Sequence, residues 1–159
     1  MLNINKMSPA PQSVAFARMR GSYKYPDITG IVQFNQTEKG VIVTARIFNL
    51  PYNNDKCSYG IYGFHIHEGN SCTGNEEDPF ANSKAHYNPN NCPHPYHAGD
   101  LPPLFGNKGY AYMSVLTDRF TLNEIIGKTV IIHDHPDDFK TQPSGNSGEK
   151  IACGVIRML

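Results

Sequence analysis

The sequence predicts an all-β sandwich or barrel, and three observations carry that prediction. Runs rich in β-branched and aromatic residues recur along the chain, set apart by Gly, Pro and Asn turns. Only TLNEIIG, Thr121–Gly127, has a helical character, and it is too short to build an α/β layer. The composition is that of a packed domain, with 39% hydrophobic and 18% charged residues over 159 positions.

Each element can be justified in order. Residues 1–12 are polar and carry Pro9 and Pro11, so they read as a flexible tail; residues 13–159 read as one domain. SVAFARMRG alternates roughly and stops at a glycine. ITGIVQFNQT and GVIVTARIFNLP flank the polar turn TEKG and predict a hairpin. GIYGFHIHEG predicts a fourth strand, and GYAYMSVLTD, KTVIIHDH and KIACGVIRML predict later ones. Between them, Asn70 to Asn107 is full of Pro, Asn, Gly and His and has little periodicity. A loop of that length is usually functional, and something must order it. PDDFKTQPSGNSGE is a second irregular stretch before the last strand.

Charge and motifs exclude several functions. Lys plus Arg and Asp plus Glu are both 14, which argues against a nucleic-acid binder that works by phosphate neutralisation. A local positive funnel depends on placement and is not excluded. No apolar run is long enough to span a membrane. GxSxG, HExxH and phosphate-binding glycine loops are absent. MLNINKMSPAPQ lacks the apolar core of a leader, which suits a cytoplasmic protein. The four cysteines permit two disulfides, which suits an extracytoplasmic one whose leader is absent from this chain, and the sequence leaves both readings open. The sequence leaves the oligomeric state open, a homodimer included.

The histidines carry the chemistry. All seven lie at position 65 or beyond, in FHIHEG, AHYNPNNCPHPYHAGD and IIHDHPDD. On a strand, positions i and i+2 share a face, so His65 and His67 present two imidazoles together while Ile66 points the other way. Alone, such a pair is ordinary strand surface. His86, His94, His97 and Asp100 change the balance. Three imidazoles and a carboxylate in one turning loop are a natural tetrahedral zinc set. A bound ion would also order a loop that has no apolar core of its own.

With these pieces in view, the chain resembles the copper/zinc superoxide dismutases, in their bacterial form. GFHIHEG, AHYNPNNCPHPYHAGDLPPL, TVIIHDHPDDF and SGNSGEKIACGVI carry the resemblance, in the family's order. It implies a flattened eight-stranded Greek-key β-barrel, akin to an immunoglobulin-like sandwich, with two long functional loops. It also implies an enzyme that converts superoxide to oxygen and hydrogen peroxide, with one copper and one zinc per chain. By position in the motifs, His65, His67, His86 and His133 are implied as copper ligands. His86, bridging, with His94, His97 and Asp100 are implied for zinc. Asp137 would support the ligands, Ser144 and Lys150 would flank the substrate channel, and Cys72 and Cys153 would form the family disulfide. Cys57 and Cys92 are additional and are candidates for a second bridge. His135 matches no ligand and is expected to face solvent. Lys150 stands where the family has arginine, which keeps the charge, loses the planar fork and predicts a lower rate. The rival reading is a non-catalytic copper/zinc-binding or copper-delivery protein on the same fold. The presence of all four copper positions favours the enzyme.

Overall fold

The protein is described by a computed structural model that covers residues 13–55, 57 and 60–159. The expected tail over residues 1–12 lies outside the described residues. Among the described residues nine strands form the fold: β1 Val14–Gly21, β2 Thr29–Thr37, β3 Gly40–Phe48, β4 Ile61–Tyr62, β5 Phe64–His67, β6 Leu104–Asn107, β7 Tyr110–Thr117, β8 Thr129–His133 and β9 Lys150–Met158. The described residues also hold one 3-10 turn, Ala81–Ser83, and one short α-helix, α1, which spans Leu122–Ile125. It begins at Thr121, whose N–H donates to the Glu124 carboxylate at 2.6 Å, as a capping box requires.

All pairings are antiparallel, and the strand order is β4-β6-β7-β3-β2-β1-β9-β8-β5. The first and last members of that order are separated in sequence only by Gly63. The sheet therefore curls back on itself into a nearly closed barrel. The expected single strand GIYGFHIHEG is broken at Gly63, and its halves pair with different partners: Tyr62 faces Leu104, while Phe64 faces Ile132. Counted as one interrupted strand, β4 and β5 reconcile nine elements with the eight expected. A side chain at position 63 would press on Ser147 Cβ at 2.9 Å and His133 Cβ at 3.2 Å, so the break needs glycine. Strand β6 was hidden in the sequence because it is four residues long and follows Pro102 and Pro103.

Alternation builds the core. Val41, Val43, Ala45 and Ile47 turn inward from β3, and Phe34 and Phe64 are fully buried beside them. Burial of such a side chain contributes about 1.5–3 kcal/mol. On β7, Ala111 is buried while Tyr110, Tyr112 and Ser114 are exposed, the arrangement that the alternation predicts. Strand β5 is different, because every one of its residues is buried. Ile66 fills the barrel interior, and the opposite face, with His65 and His67, lies beneath the loop after it.

Candidate metal centre

Two kinds of backbone bring the site together. His65 and His67 lie on β5, and His133 ends β8 opposite Lys150 of β9. The other edge of β5 is paired by the long loop, through isolated bridges from His65 to Asp100 and from His67 to His86. Ile66 N–H donates to Gly99 O at 2.9 Å, and Tyr87 N–H donates to Ile66 O at 2.8 Å. The loop thus lies along β5 as an irregular extra strand, which places His86 and Asp100 beside the strand histidines.

Side chains converge into two buried groups that can each hold a metal: His65, His67, His86 and His133, and His86, His94, His97 and Asp100. His86 belongs to both. Its ring centre lies 4.0 Å from that of His65 on one side and 5.5 Å from that of His97 on the other.

The hydrogen bonds say which nitrogens are left for a cation. His65 Nε2–H donates to Asp137 Oδ2 at 2.7 Å, and His94 Nε2–H donates to Asp137 Oδ1 at 2.9 Å. The Nδ1 atoms of His65 and His94 are then lone pairs, and both are buried without a hydrogen-bond partner. His94 Nδ1 lies 3.1 Å from Asp100 Oδ2 but in no hydrogen-bonding geometry, as two ligands of one centre would. His67 Nδ1–H donates to Lys84 O at 2.7 Å, and His133 Nδ1 lies 3.4 Å from Gly148 O. Their Nε2 atoms therefore face each other as acceptors, 3.3 Å apart. His86 Nε2 is a further buried atom with no partner. Converging lone pairs cost free energy unless a cation sits among them, so the donor set fits metal ions on both sides of His86.

Electrostatics agree. Burial, with the neighbouring His86 adding to it, pushes His65 down to about 4, although its bond to Asp137 opposes the shift. Burial also pushes His67 and His133 well below the usual histidine range, and lowers His97. His65, His67, His97 and His133 are thus neutral near pH 7, the form that binds metals. Burial alone would raise Asp137 and Asp100. Histidine bonds outweigh it and hold both carboxyls below the usual range, helped at Asp137 by the Phe139 N–H.

Several supporting residues escaped the sequence reading. Arg119 Nη1 donates to the carbonyls of Pro95, His97 and Asp100 at 3.1–3.3 Å, tying three points of the loop to the β7–α1 turn. The Gln142 amide clamps His94 at both backbone groups, at 2.9 and 2.8 Å. Gly145, at φ +70°, leaves no space for a Cβ beside Asp137. No sequence signal marks Arg119 or Gln142, because backbone carbonyls and amides are the same at every residue.

Other expected residues fall as follows. Cys72 and Cys153 are disulfide-bonded, 81 residues apart in sequence. Cys57 and Cys92 are free thiols, so the second bridge is not formed. Cys57 is exposed before β4, and Cys92 is held by Asn88, which bonds both its N–H and its carbonyl. His135 is exposed and bonds Asp134 at 2.7 Å. Ser144 is half-buried, and its carbonyl accepts from Ser147 Oγ. Lys150 Nζ reaches Asp78 Oδ2 at 2.7 Å.

Comparison with known proteins agrees with this geometry. Residues 28–156 match the family profile of copper/zinc superoxide dismutase. The chain is 34% identical over 146 residues to superoxide dismutase [Cu-Zn] 2 of Aquifex aeolicus, covering 82% of this chain and 80% of that one. It is 36% identical over 140 residues to superoxide dismutase [Cu-Zn] of Legionella pneumophila, covering 83% and 80%. It is 34% identical over 142 residues to the Photobacterium leiognathi enzyme of the same name, covering 80% and 78%. A barrel closed at Gly63, two histidine groups sharing one imidazole, and this likeness over most of the chain lead to one conclusion: the protein belongs to the copper/zinc superoxide dismutase family, with copper and zinc as its cofactors.

Proposed function

We propose that this superoxide dismutase works through His65, His67, His86 and His133 as copper ligands and His86, His94, His97 and Asp100 as zinc ligands. The observation that carries the assignment is the shared His86, with one ring nitrogen toward each buried group. Bound copper supplies one-electron redox chemistry, and bound zinc supplies a fixed positive charge. The net reaction takes two superoxide ions and two protons to oxygen and hydrogen peroxide. His86 is the proton handle. Its Nδ1 belongs to the zinc set, so Nε2 is the atom that can hold a proton and release it to the forming peroxide. Asp137 fixes the rings of His65 and His94 by accepting their Nε2–H groups, and so ties the two groups mechanically. Ser144 and Lys150 flank the path taken by the anionic substrate. The loop from Asp137 to Glu149 packs against the site, with Gln142 bonded to the His94 backbone and Gly148 O beside His133 Nδ1.

The disulfide supports an extracytoplasmic setting. Among the described residues, no helix is long and apolar enough to cross a membrane. Exposed Phe48, Tyr110 and Tyr112 form an aromatic patch that supports a homodimer, which sedimentation of the purified chain would test. Metal analysis alongside a superoxide-decay assay tests the main reading. The expected result is one copper and one zinc per chain with rapid decay. Full metal content without decay would establish a binding module instead.

A further inference from the structure

Lys150 is not a free cation. Its ammonium donates to Asp78 Oδ2 at 2.7 Å and to Phe80 O at 3.3 Å. Asp78 is itself fixed, because its Oδ1 accepts the Phe80 N–H at 2.9 Å. Both acceptors lie on the loop that Cys72 ties to β9 through Cys153, three residues beyond Lys150. Phe80 packs with Ile131 and that disulfide in a small cluster of its own. The lysine side chain is only 16% exposed, and the carboxylate 39%. In register, Lys150 stands opposite His133.

Two consequences follow from elementary electrostatics. An ammonium has three donors, and two of them are committed here, which leaves one to meet an anion. A cation and a carboxylate in contact also form a dipole. Its potential falls faster with distance than that of a lone charge, and salt screens what is left. We infer that Asp78 is a positioning residue for substrate capture: it holds the Lys150 ammonium at the channel and masks its charge at long range. Capture by Lys150 is then a short-range hydrogen-bonding event, with little of the distant attraction that steering by an open cation gives.

This inference rests on Lys150 being the channel cation, and the experiment separates the two ideas. Asp78→Asn keeps an oxygen to accept the Phe80 N–H and removes the charge. Copper- and zinc-loaded Asp78→Asn, Lys150→Gln and the double variant are compared with the parent. The second-order rate with superoxide is measured across ionic strength. Binding of azide, a small monoanion that ligates Cu(II), is titrated optically. Asp78→Asn is expected to raise the low-salt rate roughly two- to fivefold, a small part of what steering can supply. It should steepen the salt dependence and tighten azide by a similar factor. In the Lys150→Gln background it should change none of these. Should Lys150→Gln weaken azide while Asp78→Asn alters neither azide affinity nor salt slope, Asp78 has no such role. Equal gains with and without Lys150 would mean that Asp78 acts directly on the anion, which also overturns the inference. If Lys150→Gln itself changes nothing, the channel assignment fails first. Asp78→Ser, which keeps a shorter acceptor, replaces Asp78→Asn if the latter does not take up metal.

Discussion

The two metal groups are built from opposite kinds of structure. His65, His67 and His133 stand on β5 and β8, whose ladder is made by backbone groups and uses none of the imidazole nitrogens. His94, His97 and Asp100 stand on a loop that has only isolated bridges to β5 in place of a continuous ladder. That loop is held by Arg119, by Gln142, by Asp137 and by its run along β5. The strand half is pre-organised by the fold. The loop half depends on side chains and on its own ion, so ordering it costs free energy that metal binding must offset. His86 joins a rigid half to a conditional one.

The largest test of this contrast removes the junction. His86→Ala should lower the rate with superoxide by ~10²–10⁴, the span of a lost proton-transfer group, and should also reduce zinc retention. Unchanged zinc content would break the picture of a shared imidazole. Next is the bridge that ties the loop start to β9. Replacing Cys72 and Cys153 by serine should cost about 4 kcal/mol of stability in urea unfolding, since the closed segment is long. The third test sharpens the contrast itself. Arg119→Ala should weaken zinc ~10–100-fold in chelator competition while leaving copper affinity nearly unchanged. An equal loss of both metals would show that the halves are not separable.

The smallest effect concerns protons. In the metal-free protein, burial holds His65 down at about 4, below the value near 6.5 expected for an unfolded chain. Between those values the unfolded state binds more protons, so stability is fully present above about pH 6.5 and falls as pH drops toward 4. His67 and His133 shift in the same direction. Thermal melting of the metal-free protein should therefore move to lower temperature over this range. A flat profile would mean that the strand histidines are more hydrated than their burial implies.

Much of this was legible in the sequence, but unevenly. Period-two alternation exposed the long strands, and i, i+2 spacing placed His65 and His67 on one face. The loop members of the second buried group, His86, His94, His97 and Asp100, were visible as residue types, because imidazoles and a carboxylate in a segment with no core have few other uses. What was hidden is whatever works through backbone. Gly63 looked like an ordinary strand glycine, and β6 is too short to show a period. Nothing marked Arg119 or Asp78, since their contacts with Asp100 and Lys150 span 19 and 72 residues. Cys57 and Cys92 made an even cysteine count, but parity says nothing about distance.

The break at Gly63 also bears on how the chain assembles. The segment around it supplies both outer members of the strand order, so until it docks the sheet has two open edges. Two bonds stitch it shut, from Gly63 N–H to His135 O at 2.7 Å and from His133 N–H to Gly63 O at 2.8 Å. The same segment carries His65 and His67. Sealing the barrel and gathering the strand histidines are therefore one folding event, and a late one, because β5 meets β8 across more than sixty intervening residues. Until the barrel closes, the buried group of His65, His67, His86 and His133 is not assembled, so its capacity to hold a metal arrives together with the last strand pairing.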